Sequence, residues 1–441
     1  MKTRRISSFT LLLLIVLFIT SMWFKVIVPE ELSAKKENLT NSPKALWNQS
    51  YGVTGGGDAP DLIQTNDGGF ALAGSTGVGN AYGSEMWLVK TDDEGVVQWT
   101  HTYGGLAADW ASALIQTTDG GYVLAGNTRS YGGGAGDMWL VKTNAIGVAL
   151  WSQTYGGFET DEASALVQTA DGGFAIAGFT SSFYLGGFDM MLVKTNSNGT
   201  EEWIQTFGGK QNQFINSDDY ATALIQTTDG GFALAGYNVS FDQGSDMWLV
   251  KTDRNGNAIW NQSYGGRGGD EAYAVIQTLD GGFALVGVTG SFGAGGGDMW
   301  FVKTNADGVM QWSQTYGGTG SEWARTLIQT SDGGFAIAGL TGSFGNGGGD
   351  MWLVKTNVDG KILWSETYGG PESDWASAML QTADGSFVLA GLTGSFGTSG
   401  RDMWLVKTIG GSDYNGPNTS PLLLVFVIIL LLTISWYRNR K

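Results

Sequence analysis

The sequence predicts an all-β fold of seven like units closed into a ring, on three observations. A lead tryptophan recurs at Trp47, Trp99, Trp151, Trp203, Trp260, Trp312 and Trp364, at intervals of 52 residues except for one of 57. A period of that length marks solenoids, propellers or arrays. The 71 glycines stand at fixed places in the period, where they read as turns rather than as low complexity. The runs between those turns are short and β-rich, and none carries the 3.6-residue periodicity of a helix.

The cleanest copy, Trp312 to Leu363, shows the elements of one unit. Strand A is the LIQT run within Thr326–Thr330. A Ser-Asp-Gly turn leads to strand B, Gly334–Gly339. Strand C is DMWLVKT, Asp350–Thr356, and the turn Asn357–Gly360 leads into strand D, which carries the tryptophan. Strands B and C are apolar on both faces, as strands are when sheets pack face to face around an axis. C strands begin at Met86, Met138, Met190, Met247, Met299, Met351 and Met403, and no tryptophan strand follows the last. The first tryptophan strand, Leu46–Gly52, has no C strand of its own. The count closes if this N-terminal strand completes the last blade. The expectation is a seven-bladed β-propeller with four antiparallel strands per blade, its open sheet edge removed by the clasp.

Between strands C and D, KTNADGVMQW (Lys303–Trp312), KTDDEGVVQW (Lys90–Trp99) and KTDRNGNAIW (Lys251–Trp260) carry an acidic residue, a glycine and, four places on, a tryptophan. This resembles the tryptophan-docking motif of quinoprotein-like propellers, in the secreted, non-enzymatic branch with GGF-LAG and DMWLVKT repeats. The turn is one residue shorter than that family's usual spacing, and its Thr before Gly is missing. The resemblance implies that each tryptophan packs between adjacent blades.

Composition removes several function classes. There are no cysteines, hence no disulfide framework and no thiolate metal site. His101 is the only histidine, which removes His-based zinc sites and Ser-His or Cys-His pairs unless it serves alone. A net charge of −17 argues against nucleic acid. The turns TNADG and TDDEG are too short for calcium loops and lack the bidentate Glu. The TSDGGF turn is similar to the Asp-box hairpin of sialidase propellers, without their arginine cluster. No cofactor is expected; calcium is the one candidate cation.

The two ends carry an address. Residues 1–29 combine Lys2, Arg4 and Arg5 with an apolar run from Phe9 to Phe24, a secretory signal or uncleaved anchor. Pro421 to Tyr437 is apolar and uncharged, at the lower length limit for a membrane helix. Trp436 and Tyr437 suit the interface, and Arg438, Arg440 and Lys441 the cytoplasmic side. The expected order is signal or anchor 1–29, linker 30–43, propeller 44–411, linker 412–420, membrane helix 421–437 and basic tip 438–441, with the propeller extracellular. Sequons stand at Asn38, Asn48, Asn198, Asn238, Asn261 and Asn418.

Repetition turns each position into a ring. Longer segments join B to C and D to the next A, so they share the face where ligands are expected. At the D-to-A loop an acid is followed by an aromatic or a second acid: Asp109-Trp110, Asp161-Glu162, Asp219-Tyr220, Asp270-Glu271, Glu322-Trp323 and Asp374-Trp375. The first repeat departs, with Gly57-Asp58. These pairs are expected around the mouth of the central channel. The candidate binding residues are therefore Asp109, Trp110, Asp161, Asp219, Tyr220, Asp270, Glu322, Trp323, Asp374 and Trp375. A second acidic ring opens strand C at Glu85, Asp137, Asp189, Asp246, Asp298, Asp350 and Asp402. A competing structural role for both rings is the capping of loop amides. On the other face, the lysines ending strand C, from Lys90 to Lys407, should pair with the turn aspartates, from Asp67 to Asp384. A ring of glutamines on strand A should satisfy backbone groups. The Lys210–Tyr220 loop adds five residues and breaks the symmetry on the candidate face.

No catalytic set is visible. The expected function is a membrane-anchored binding scaffold for a protein, glycan or matrix partner. The alternative is an exported quinoprotein-like or glycan-processing enzyme, which rests on fold resemblance alone.

Overall fold

A computed structural model of the chain describes residues 44–409, apart from 53–56, 77–82, 184–186, 209–217, 241–243 and 398–399. Both expected apolar segments, both linkers and most of the Lys210–Tyr220 loop lie outside the described residues. Among the described residues there is no helix.

The described chain forms seven four-stranded antiparallel sheets in ring order. Blade 6 is representative, with strands at Glu322–Gln329, Phe335–Thr341, Asp350–Thr356 and Ile362–Tyr368. Turns between A and B close on a glycine with positive φ, such as Gly333 at 82°, which only glycine adopts without strain. Strands B and C are buried almost throughout, whereas strand D at the rim is exposed at its start, half-buried along its middle and buried only at Tyr368. That gradient follows from the apolar content: B and C lie between two neighbouring sheets, and D faces water.

The ring closes as the strand count requires. Ala45–Tyr51 pairs antiparallel with Asp402–Thr408, from Ala45 opposite Thr408 to Tyr51 opposite Met403. The last blade thus takes strands A, B and C from Asp374–Thr408 and D from the N-terminal end. The Ile409 amide donates to the Lys44 carbonyl at 3.0 Å and continues the clasp.

Adjacent blades share seven apolar clusters, one at each junction. At the closing junction Phe70, Leu72 and Trp87 of blade 1 meet Val388, Met403 and Leu405 of blade 7, with Trp47 packed alongside. The tryptophans do pack between blades. Trp47 lies 6.2 Å from Phe70, and Trp260 lies 5.8 Å from Phe283, centroid to centroid. A tyrosine four residues after each tryptophan except Trp203, where Phe207 stands, adds a polar latch. Tyr51, Tyr103, Tyr155 and Tyr264 donate to Gly95, Gly147, Gly199 and Gly308 carbonyls of the next blade at 2.5–2.6 Å. Each fully buried apolar side chain contributes about 1.5–3 kcal/mol, and each latch about 1 kcal/mol. Apolar burial therefore holds the ring, and the latches set its register.

On the short-turn face each lysine meets its turn aspartate. The distances run from 2.8 Å for Lys303–Asp280 to 3.9 Å for Lys407–Asp384. The lysine is buried and the aspartate more than half exposed, as in the 7% and 56% of Lys303 and Asp280. The glutamines link blades on this face. Gln329 Oε1 accepts from the Leu279 amide of blade 5 at 3.1 Å, while its Nε2 donates to Gly333 in its own turn at 3.4 Å.

Candidate functional site

Strand A lines the central channel, and one irregularity in it shapes the site. Opposite strand B, pairing runs Trp323 to Leu340 and Ala324 to Gly339, then skips to Thr326 opposite Ala338. Arg325 is the bulged residue. The same slip exempts Ser112, Ser164, Thr222, Tyr273 and Ser377 from pairing, and blade 1 slips between Asp58 and Asp61. Such a bulge re-aims a side chain out of the ladder. Glycine is required opposite it, because a β-carbon on Gly339 would lie 1.8 Å from the Trp323 carbonyl.

Above and including these bulges a cavity of about 720 Å³ opens, lined by residues of all seven blades. This is the mouth of the channel on the long-loop face. Its wall is uneven. One arc carries Tyr220, Tyr237, Glu271, Tyr273, Trp323 and Arg325, with Trp375 beside it; the opposite arc carries Pro60, Ser112 and Ser164.

The arc is a connected aromatic and charged surface. Tyr220 stacks on Tyr237 at 4.9 Å and meets Phe179 edge-on at 5.0 Å. The Arg325 guanidinium lies 4.1 Å from the Tyr273 ring centroid and 5.4 Å from that of Trp323. The Tyr273 hydroxyl donates to Glu271, and the Ser245 hydroxyl reaches the other Glu271 oxygen at 3.4 Å. Burial first, and then the Glu271 acceptor, push the Tyr273 phenol well above its usual range. Burial also raises Tyr237, to about 12, with Glu271 adding to it and Arg325 opposing. Both phenols are hydrogen-bond donors at any physiological pH. Burial raises the Glu162 carboxyl, with Arg129 opposing.

The ten sequence-predicted residues divide by position. Trp323 is 41% exposed at the mouth, and Tyr220, Trp323 and Trp375 line the cavity. Trp110 lies beneath the Arg129 guanidinium, 5.6 Å from it. The acids sit elsewhere: Asp109, Asp161, Asp270, Glu322 and Asp374 are fully buried and Asp219 nearly so. Asp374 accepts from Thr393, from the Ser395 hydroxyl at 2.7 Å and from the Gly370 amide at 2.9 Å. Glu322 accepts from Thr341 at 3.0 Å and from the Ser343 and Gly318 amides at 2.9 Å. The acids tie the D-to-A loop to the B-to-C loop beneath the face, and of the residues that follow them Tyr220, Glu271, Trp323 and Trp375 line the cavity whereas Trp110 and Glu162 do not. The second ring behaves alike: Asp350 accepts from the Asn346 amide at 2.9 Å, and Asp298 from the Ala294 and Gly295 amides. Among the described residues no group of three or more His, Cys, Asp and Glu is placed to hold a metal ion.

Tyr237, Tyr273 and Arg325 are cavity residues that the pattern of repeats did not single out. Their signal was present as departures from consensus. Tyr273 and Arg325 stand where Ser112, Ser164 and Ser377 stand in other repeats.

No family model matches the chain, and no curated protein matches it. Solved structures resemble its shape. The WD40 domain of Neurospora crassa Pan2 aligns with a TM-score of 0.49 at 10% identity, covering 79% of this chain and 89% of that one. The α-L-arabinanase of Penicillium chrysogenum complexed with arabinobiose aligns at 0.47 and 10% identity, covering 82% and 98%. A protein of unknown function from Dyadobacter fermentans aligns at 0.44 and 9% identity, covering 83% and 99%. The assignment as a seven-bladed propeller rests on strand order and register within this chain.

Proposed function

We propose that this propeller is a binding scaffold whose ligand, on a protein, glycan or matrix partner, enters the mouth of the central channel on the long-loop face. One observation carries the reading. Seven near-identical repeats build a symmetric body, yet at the mouth one arc gathers Tyr220, Tyr237, Glu271, Tyr273, Trp323 and Arg325 while the facing arc has small residues. Folding alone asks for the same residue in every blade. The departures cluster in a concave, aromatic cavity with a few polar groups, the usual composition of a ligand site. The remainder of the proposal is the address: an exported chain held at the cell surface by its C-terminal apolar segment, with the propeller outside. It rests on the basic and apolar order of the two ends.

The test is a glycan-array and surface-retention assay with the full chain and a Tyr273→Ala/Trp323→Ala variant that melts normally. Retention that depends on both residues supports the reading. A quinone chromophore in the purified protein, or turnover of a retained glycan, would replace it with the enzymatic alternative.

A further inference from the structure

We propose that the ligand is an anionic oligosaccharide, its acidic group taken by Arg325 and its sugar rings by the aromatic arc. The inference rests on the mouth being the binding site and specifies the chemistry that fits it.

The first observation is the state of Arg325. Its guanidinium lies over the Tyr273 ring and near Trp323. A cation held over a ring face is attracted by the ring quadrupole and still has N–H donors to offer an oxyanion. Among the described residues no ion pair engages Arg325, and its guanidinium lies against the two rings. It is half-buried. A guanidinium partly withdrawn from water with its fork unused is matched by a carboxylate or sulfate, which accepts two parallel hydrogen bonds. The nearby acid is already engaged, since Glu271 accepts from the Tyr273 and Ser245 hydroxyls.

The second observation is where the arginines are. Residues 44–409 contain five: Arg129, Arg254, Arg267, Arg325 and Arg401. Two lie over tryptophans that line the cavity, Arg325 at 5.4 Å from Trp323 and Arg401 at 5.1 Å from Trp375, and a third, Arg129, lies 5.6 Å from Trp110. Among the cavity-lining residues the charged groups are Arg325 and Glu271, and with Glu271 held by two hydroxyls Arg325 is the group left to meet an anion.

The third observation selects a sugar over an acidic peptide. The aromatic side chains of Tyr220, Tyr237 and Trp323 and the hydroxyl-bearing side chains of Ser112, Ser164 and Ser377 line the same cavity. A sugar ring has C–H faces for the first and hydroxyl edges for the second. A peptide is held chiefly by side chains anchored in well-packed pockets, whereas this cavity is lined by aromatic rings and hydroxyls.

The probes are hexasaccharides: oligogalacturonate, its methyl ester, uronate-free keratan sulfate and neutral maltohexaose, together with hexaglutamate. Binding to the full chain is followed by tryptophan fluorescence and calorimetry. The expected result is that at least one anionic hexasaccharide binds tenfold or more tightly than maltohexaose and hexaglutamate. The uronate and sulfate arms say which acid is used. Methyl esterification then removes the preference for galacturonate if galacturonate is the one bound. Arg325→Gln lowers that affinity at least tenfold without changing the melting temperature, and Arg325→Lys recovers only part. Equal binding of the neutral sugar, equal binding of hexaglutamate, no anionic sugar bound, or an unaffected Arg325→Gln overturns the inference. If a neutral sugar or the peptide binds and Tyr273→Ala/Trp323→Ala abolishes it, the mouth remains the site and only the anionic-sugar assignment falls.

Discussion

Trp312 of blade 5 packs against Gly360 of blade 6 so closely that a β-carbon on Gly360 would lie 2.7 Å from its ring. Gly360 has φ of 76°, in the left-handed region, and its carbonyl accepts from the Tyr316 hydroxyl at 2.5 Å. The glycine, four residues ahead of its own tryptophan, serves as the socket for the tryptophan of the blade before. This is why glycine and tryptophan recur together.

Gly360→Ala should therefore destabilise the ring by about 2 kcal/mol or more, combining left-handed backbone strain with the clash. Tyr316→Phe should cost about 1 kcal/mol, since it deletes only the latch. Phe207 stands at the latch position between blades 3 and 4, and Phe207→Tyr should recover part of that amount there. Urea unfolding of the three variants checks the order.

Lys303 Nζ meets Asp280 at 2.8 Å and 3.0 Å and the Thr304 carbonyl at 2.8 Å. Partial burial pushes Asp280 up, but the Lys303, Thr278 and Gly282 donors outweigh it and lower its pKa to about 2. A depressed carboxylate contributes stability that is present above pH ~4 and lost as pH falls towards about 2. Asp280→Ala should cost about 1 kcal/mol at pH 7, because water replaces much of an exposed partner. The difference from wild type should shrink on titration to pH 2. A cost independent of pH would contradict the assignment.

Asp61 is the opposite case. It replaces the alanine found at Ala113, Ala165, Ala223, Ala274 and Ala378. Its carboxyl accepts from the Leu114 amide of blade 2 at 2.7 Å and from Leu62 at 2.8 Å. Burial raises its pKa to about 6 against the pull of those amides. With a raised carboxyl the native state holds its proton longer than the unfolded chain, so stability falls as pH rises from about 4 to about 6. Thermal melts across that window should show a decline in wild type that Asp61→Ala lacks, on the order of 1–2 kcal/mol. Parallel curves would refute it.

Much of this fold is legible in the sequence because each blade repeats its turn chemistry. The glycine of every A-to-B turn, the Asn or Asp of every C-to-D turn and the lone tryptophan strand at Leu46–Gly52 suffice to count blades and close the ring. The candidate face is legible in part. An acid at the head of strand A can point into its own loop or into the channel, and the residue pattern is the same either way. Asp109 and its equivalents point into the loop, where threonine and serine hydroxyls and loop amides hold them. Arg325 and Tyr273 are not legible as channel residues for a different reason. A bulge turns them to the channel, and bulge position is set by the close approach of Gly339 and Gly287 to the facing backbone, a tertiary fact.

The central claim is that the asymmetric mouth binds, and surface retention tests it most directly. Full-length wild type, Tyr273→Ala/Trp323→Ala and Leu279→Asp are compared for retention on cells or matrix. Leu279 is 88% exposed in a turn on the opposite face. The account predicts that retention is lost in the mouth variant and kept in Leu279→Asp. Retention kept in the mouth variant and lost in Leu279→Asp would contradict it.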